Sequence, residues 1–161
     1  TSIVDLNDVV CSGTSMLMAQ FNSHGLLLEK DLSPHELPIQ VNPYSVEEVI
    51  FNLLSNARHS LGEKKETAGD EFRPCVRVIT RKLAVNGSDV VTLKIADNGT
   101  GIPGHAAEKI FDPFFTTKDP DKGTGLGLSI CKSIVESFQG QIQFDTAENK
   151  GTSFEIVFPQ P

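Results

Sequence analysis

A chain of 161 residues with a net charge of −7 and a mean hydropathy of −0.13 describes one ordinary globular domain, large enough to bury roughly 70% of its unfolded surface without staples. The negative charge and the lack of any basic run exclude a nucleic-acid surface, which needs clustered Lys and Arg, and no apolar run approaches the ~20 residues that cross a bilayer. Cys11, Cys75 and Cys131 are odd in number and form no C-x-x-C, so they read as thiols in a reducing, cytoplasmic compartment.

The opening Thr1-Ser2-Ile3-Val4-Asp5-Leu6-Asn7 reads as the middle of something longer, with no signal peptide, which points to an excised domain. From Asn7 to about Phe21, the positions Val9, Val10, Leu17, Met18 and Phe21 predict a helix with Asn7 as its cap, broken by Gly25. Residues 26 to 28 and 37 to 41 predict two short strands. Ser45 followed by Glu48 is a capping-box pattern. Val46, Val49, Ile50, Leu53, Leu54, Ala57 and Leu61 then form a continuous apolar stripe, and Gly62 is the expected stop. Residues 63 to 74 predict a mobile loop. Strands follow at 75 to 83 and 90 to 96, with Asn86-Gly87 as a hairpin turn. Asp97 to Gly123 shows no regular pattern. A helix is expected from near Thr124 to Gly140, carrying Leu126, Ile130, Ile134 and Phe138, and strands at 141 to 145 and 152 to 158 close the chain. This order predicts an α/β (α+β) two-layer sandwich: a mixed, mostly antiparallel sheet of about five strands covered on one face by three helices.

Four segments carry chemistry. Asn52, Asn56 and His59 lie in one narrow stripe of the Ser45 helix; a solvated face accounts for them as well as a carboxamide that ligates a hard cation. Asp97-Asn98-Gly99-Thr100-Gly101 follows an apolar strand. It is either an Asx-capped turn or a carboxylate that accepts from an exocyclic amine, beside glycines that let the backbone approach a flat ligand. Gly123-Thr124-Gly125-Leu126-Gly127-Leu128-Ser129 opens a helix. Glycines before a helix N-terminus suit an anion, although this is neither a P-loop nor a dinucleotide fingerprint. Between them, Ile110-Phe111-Asp112-Pro113-Phe114-Phe115-Thr116-Thr117-Lys118 reads as a lid over roughly 103 to 123, anchored by its aromatics, or as a purely local apolar cluster.

Taken in order, N-L-L-x-N-A on a helix, D-x-G-x-G after a strand, I-F-x-P-F-F-T-T-K, G-T-G-L-G-L-S and a final G-T-S-F resemble the ATP-binding catalytic domain of bacterial sensor histidine kinases, nearest to the nitrogen- and oxygen-regulation branch. The resemblance implies the Bergerat-type ATP-binding sandwich. It assigns Asn56 to Mg²⁺, Asp97 to the adenine amine, Gly99 and Gly101 to the base pocket, and Gly123, Thr124, Gly125, Leu126 and Gly127 to the phosphates. Thr152 would support Asp97, and Lys118 would reach the terminal phosphates from the lid. Asn52 stands where hydrolysing relatives carry a Glu base, which implies ATP held for transfer. His59 replaces the Lys that many members place there. The implied partners are a dimerisation domain bearing the acceptor histidine and a downstream response regulator, with no nucleic acid and no membrane contact by this domain; the isolated chain is expected to be a monomer. Of His24, His35, His59 and His105, none has a helical acceptor setting, since His35 lies between Pro34 and Pro38.

Overall fold

The structure, a computed structural model, describes residues 1–118, 125 and 127–161. The chain opens with β1 (Ser2–Asp5) and α1 (Leu6–Ser23). The cap of α1 is Asp5, whose carboxylate accepts from the Asn7 N–H at 3.0 Å and from the Leu37 N–H at 3.0 Å. Asn7 was the expected cap, but its carboxamide is used in the tertiary structure. Its Nδ2 donates to the Ser33 and His35 carbonyls, and its Oδ1 accepts from Thr80 Oγ1 at 2.7 Å.

β2 (Leu27–Asp31) and β3 (Pro38–Val41) follow. β3 pairs antiparallel with β1 in a two-stranded ribbon that the sequence did not announce, because four residues with exposed Ser2 and Ile3 carry too little alternation. α2 (Pro43–Thr67) is capped by Asn42, which accepts from the Tyr44 N–H at 3.0 Å, and Pro43 opens its first turn. The cap therefore lies three residues before Ser45. The helix also continues through Gly62 and five residues into the segment expected to be a mobile loop. A mid-helix Gly costs about 1 kcal/mol relative to Ala, and tertiary contacts offset this: Leu61 is fully buried, and Lys64 Nζ donates to the carbonyls of Asn98 and Asn149 at 3.0 and 2.6 Å.

β4 (Cys75–Val85) and β5 (Ser88–Asp97) form the expected hairpin, turning at Asn86 and Gly87 with φ of 50° and 80°. A 3-10 turn at Ala107–Lys109 interrupts the long patternless stretch. α3 (Gly127–Ser137), β6 (Gln141–Ala147) and β7 (Gly151–Pro159) complete the chain; the expected helix start near Thr124 lies outside the described residues.

The main sheet runs β2-β4-β5-β7-β6, antiparallel except for the β2–β4 pair. Its inner face presents Val76, Val78 and Thr80, then Val91, Leu93 and Ile95, then Phe154, Ile156 and Phe158, all at 6% exposure or less. The apolar stripe of α2, from Val46 to Leu61, lies against this face with α1 and α3 on either side. Burial of each such side chain contributes ~1.5–3 kcal/mol. The outer face is polar, with Arg77 and Arg81 bridging to Asp31 and Gln143 donating to Glu155. The two-layer sandwich expected from the element order is therefore the observed architecture.

Thr80 is the one buried polar side chain of β4. It donates to Asn7 and accepts from the Ser33 N–H at 2.9 Å, so it ties α1 and the segment after β2 to the sheet. Thr80→Val keeps the shape and removes both bonds. It should lower stability by about 1–3 kcal/mol, read as a lower urea midpoint at unchanged slope; an unchanged midpoint would show that the bonds contribute nothing.

Candidate nucleotide site

A cleft of about 330 Å³ opens between α2, the end of β5, the start of β7 and the segment leading to α3. One helix supplies most of its polar wall. Asn52, Asn56 and Ser60 line it at steps of four residues, so successive side chains stack on one slowly turning stripe of α2. The opposite stripe of the helix holds it in the core, which leaves this one no freedom to slide.

At the far end stands Asp97, the last residue of β5. Its Oδ1 accepts from the Gly99 N–H at 2.9 Å, and the Thr152 N–H donates to the same carboxylate from the neighbouring strand. Burial pushes the Asp97 carboxyl up to about 6, against these two bonds and the Lys64 charge, which oppose the shift. Thr152 shares its hydroxyl with Thr146 at 2.9 Å, and Thr146 accepts from the Ile102 N–H at 2.8 Å, so β6 and β7 brace the loop that follows Asp97.

The glycines of that loop are required by the protein's own packing. A Cβ on Gly99 would overlap the Ser60 side chain and sit 2.9 Å from the Ser60 carbonyl carbon. Gly101 has φ of +74°, and a Cβ there would strike the Ala147 carbonyl. Gly99 is absent from the cleft wall, whereas Gly101 lines it. The clearance expected for a flat ligand is thus, at Gly99, clearance for α2.

At the other end, Asn52 faces α3. Its carboxamide bonds the Cys131 thiol, which burial pushes up to about 12, and its Cγ lies 3.9 Å from the position of a Cβ on Gly127. Asn56 Oδ1 accepts from Lys118 Nζ at 3.0 Å. Burial lowers the Lys118 ammonium from its ordinary value, the Glu63 carboxylate opposes this, and Arg58 adds to it. His59 Nε2 meets Glu63 Oε1 at 2.5 Å, one turn along the helix. Gly125, Gly127 and Leu128 line the cleft, while Gly123, Thr124 and Leu126 lie outside the described residues.

The aromatics of the expected lid divide their work. Phe111 stacks edge-on to Phe144 and Phe154 at centroid distances of 5.8 and 6.4 Å, the offset geometry such rings prefer. Phe115 lines the cleft, and Phe114 is 73% exposed with φ of 66°. Sequence reading missed Ser60, Glu63 and Lys64. The signal was present: Ser60 and Lys64 extend the Asn52–Asn56 spacing by two further steps of four.

This sandwich with its cleft defines a nucleotide-binding class. The family described as "Histidine kinase-, DNA gyrase B-, and HSP90-like ATPase" matches residues 42–161, and the chain belongs to that family. It is 35% identical over 162 residues to the sensor kinase CckA of Brucella abortus, covering 98% of this chain and 17% of the relative, and 31% identical to the sensor histidine kinase ZraS of Salmonella typhi, covering 97% and 30%. Among solved structures, the nucleotide-free catalytic domain of histidine kinase ThkA superposes with a TM-score of 0.80 at 26% identity, covering 99% of this chain and 95% of that one. The chain is therefore a catalytic, ATP-binding domain of the sensor-kinase kind. It spans less than a third of the two curated relatives named. No helix among the described residues is long and apolar enough to cross a membrane.

The charge state of Asp97 makes stability depend on pH. Its folded value near 6 lies above the ordinary 3.8, so between pH 4 and pH 6 the folded chain holds a proton that the unfolded chain has released. Stability contributed by this group is fully present below about pH 4 and is lost as pH rises through 6. Relative to Asp97→Asn, wild type should lose roughly 3 kcal/mol between pH 4 and pH 7, measured by denaturant unfolding across the range. A difference that does not change with pH would mean that Asp97 is not held in this environment.

Proposed function

We propose that residues 1–161 act as one domain that binds Mg-ATP and presents the γ-phosphate to a histidine on a separate dimerisation hairpin of the same protein, from which a response regulator is then served. The observation that carries this reading is the chemistry of the cleft's polar wall. At its phosphate end stand two carboxamides and an ammonium, Asn52, Asn56 and Lys118. Asn52 cannot take a proton, so the residue resembling the hydrolytic base position of the wider family cannot activate water. A single core running from Leu6 to Phe158 supports the one-domain reading.

Asp97 would accept from the adenine amine, supported by Thr152 and beside Gly101, with Gly99 setting the loop's approach to α2. Gly123, Thr124, Gly125, Leu126 and Gly127 would cradle the phosphates with their N–H groups. His59 would add one donor near the phosphates when it leaves Glu63. The residues present fit a magnesium ion carried in on the phosphates. Asn56 Oδ1 already compensates one cation, the Lys118 ammonium, and no group of three His, Cys, Asp or Glu side chains among the described residues is placed to hold an ion alone. Magnesium keeps waters and phosphate oxygens around it and needs few protein ligands; when bound, it offsets phosphate charge. Lys118, released from Asn56, would turn to the terminal phosphates. Positioning and charge compensation of this kind are what phosphoryl transfer requires of a protein.

A hydrolytic reading has one observation in its favour: the His59–Glu63 pair is a proton-accepting couple on the cleft wall. Transfer and hydrolysis are separated by labelled ATP. With its own dimerisation hairpin supplied in trans, the chain should produce an acid-labile, base-stable phosphoramidate on the hairpin and release little free phosphate. Asn56→Ala should lower transfer by a hundredfold or more, on the order of ~3 kcal/mol of lost alignment, and should remove the magnesium dependence of ATP binding. Rapid phosphate release by the chain alone would favour hydrolysis instead.

A further inference from the structure

The α2 stripe does not end at the cleft. Four residues beyond Ser60, Lys64 leaves the wall and enters the packing behind it. Its Nζ donates to the carbonyl of Asn98, the residue after Asp97, at 3.0 Å and to the carbonyl of Asn149 in the β6–β7 turn at 2.6 Å, while Phe72 lies 4.8 Å from the charge. The first loop is also tied to α2 by the Thr100 N–H to Ser60 Oγ at 2.9 Å, and to the start of β4 by Asn98 through Cys75 and Arg73. The Asn149 N–H to the Thr100 carbonyl at 2.7 Å and the Ile102 N–H to Thr146 Oγ1 tie it to the β6–β7 side. Lys64 is the side chain that bonds a carbonyl of each loop at once. Lys64 is absent from the cleft wall, so it acts on anything bound there through the Asp97–Gly101 loop that it holds.

We propose that Lys64 is a positioning residue for base recognition: it clamps the Asp97–Gly101 loop between α2 and the β6–β7 turn and so keeps the Asp97 carboxylate aimed at the cleft. The proposal rests on the reading of Asp97 as the group that meets the base. Two consequences of the clamp act together. The bond to the Asn98 carbonyl joins those that Asn98 makes with Cys75 and Arg73 and ties to α2 the backbone from which the Gly99 N–H reaches Asp97 Oδ1. The ammonium also favours the ionised form of Asp97.

Most of the ionisable groups around the loop have other partners. On α2, His59 and Glu63 are paired with each other; on the lid, Lys118 is bonded to Asn56; after β5, the Gly104 N–H donates to Glu148; and Arg73 donates to the Asp70 carbonyl. Lys150 lies in the β6–β7 turn. β4 and β7 place Val76 and Thr152 in register with Asp97, and neither titrates.

The test is ATP affinity as a function of pH, from pH 5 to pH 8, in wild type, Lys64→Met, Lys64→Arg and Asp97→Asn. In wild type, affinity should rise with pH as Asp97 ionises. Lys64→Met should move the midpoint to higher pH and lose roughly tenfold in affinity at pH 7, Lys64→Arg should restore the wild-type midpoint, and in Asp97→Asn the added Lys64→Met change should move no midpoint. If Lys64→Met does not fold, Lys64→Gln must show the same upward midpoint. A weaker affinity with an unmoved midpoint would overturn the clamp while leaving the reading of Asp97 intact. ATP affinity in Asp97→Asn equal to wild type at pH 8 would overturn that reading, and the proposal with it.

Discussion

The site depends on a single helix performing two tasks with its two sides. The apolar stripe of α2, from Val46 through Leu54 to Leu61, is 2% exposed or less and fixes the helix against the sheet. Its polar stripe steps through Asn52, Asn56, Ser60 and Lys64. Because both stripes belong to one rigid rod, the spacing between the Asn56 oxygen and the loop carrying Asp97 is set by the rise of the helix, 1.5 Å per residue. Gly99 makes the coupling close: no larger residue fits between the loop and the Ser60 backbone. A change that shifts α2 along the sheet would move Asn52 and Asn56 relative to Asp97, which ends β5 and is held in register with Val76 and Thr152.

Much of this was legible in the sequence, and the reasons are particular. Seven apolar residues at helical spacing announced α2, and Asn86-Gly87 between two β-branched runs announced the β4–β5 hairpin. The sheet and its helical cover followed from element order. What escaped was decided by tertiary contact. Asp5 caps α1 because its carboxylate also satisfies the Leu37 N–H, and Asn7 is drawn away by Thr80. α2 outlasts Gly62 because Lys64 is held by two carbonyls contributed by residues 34 and 85 positions away. No local pattern can encode a partner that distant. The cleft was legible in a different way. Asn52, Asn56, Asp97 and Lys118 do line one cavity, but the glycine at 99, read as room for a ligand, is room for a helix.

Electrostatics completes the arrangement. Lys118 bonds the carboxamide of Asn56, proposed for the metal, and burial raises the carboxyl of Asp97 at the opposite end to about 6. Both are incomplete pairings in the usual sense: a neutral oxygen receives an ammonium, and an ionisable carboxyl has only backbone donors and a lysine behind it. On the proposed reading, ATP completes both. Its amine gives the carboxylate a donor, and its phosphates give the ammonium a charged partner, so the nucleotide stabilises the same groups whose burial costs free energy in its absence.

The claim that Asp97 reads the base through the exocyclic amine can be tested on the ligand as well as on the protein. Purine riboside triphosphate lacks that amine and is otherwise ATP. Titration calorimetry of both nucleotides against wild type and Asp97→Asn at pH 7.5 gives the coupling between the two groups. Wild type should prefer ATP by tenfold or more, since a buried acceptor left without its donor costs about 1–3 kcal/mol, and Asp97→Asn should bind the two nucleotides nearly equally. Equal affinity of wild type for both nucleotides would contradict the assignment of Asp97, and with it the orientation of ATP along α2.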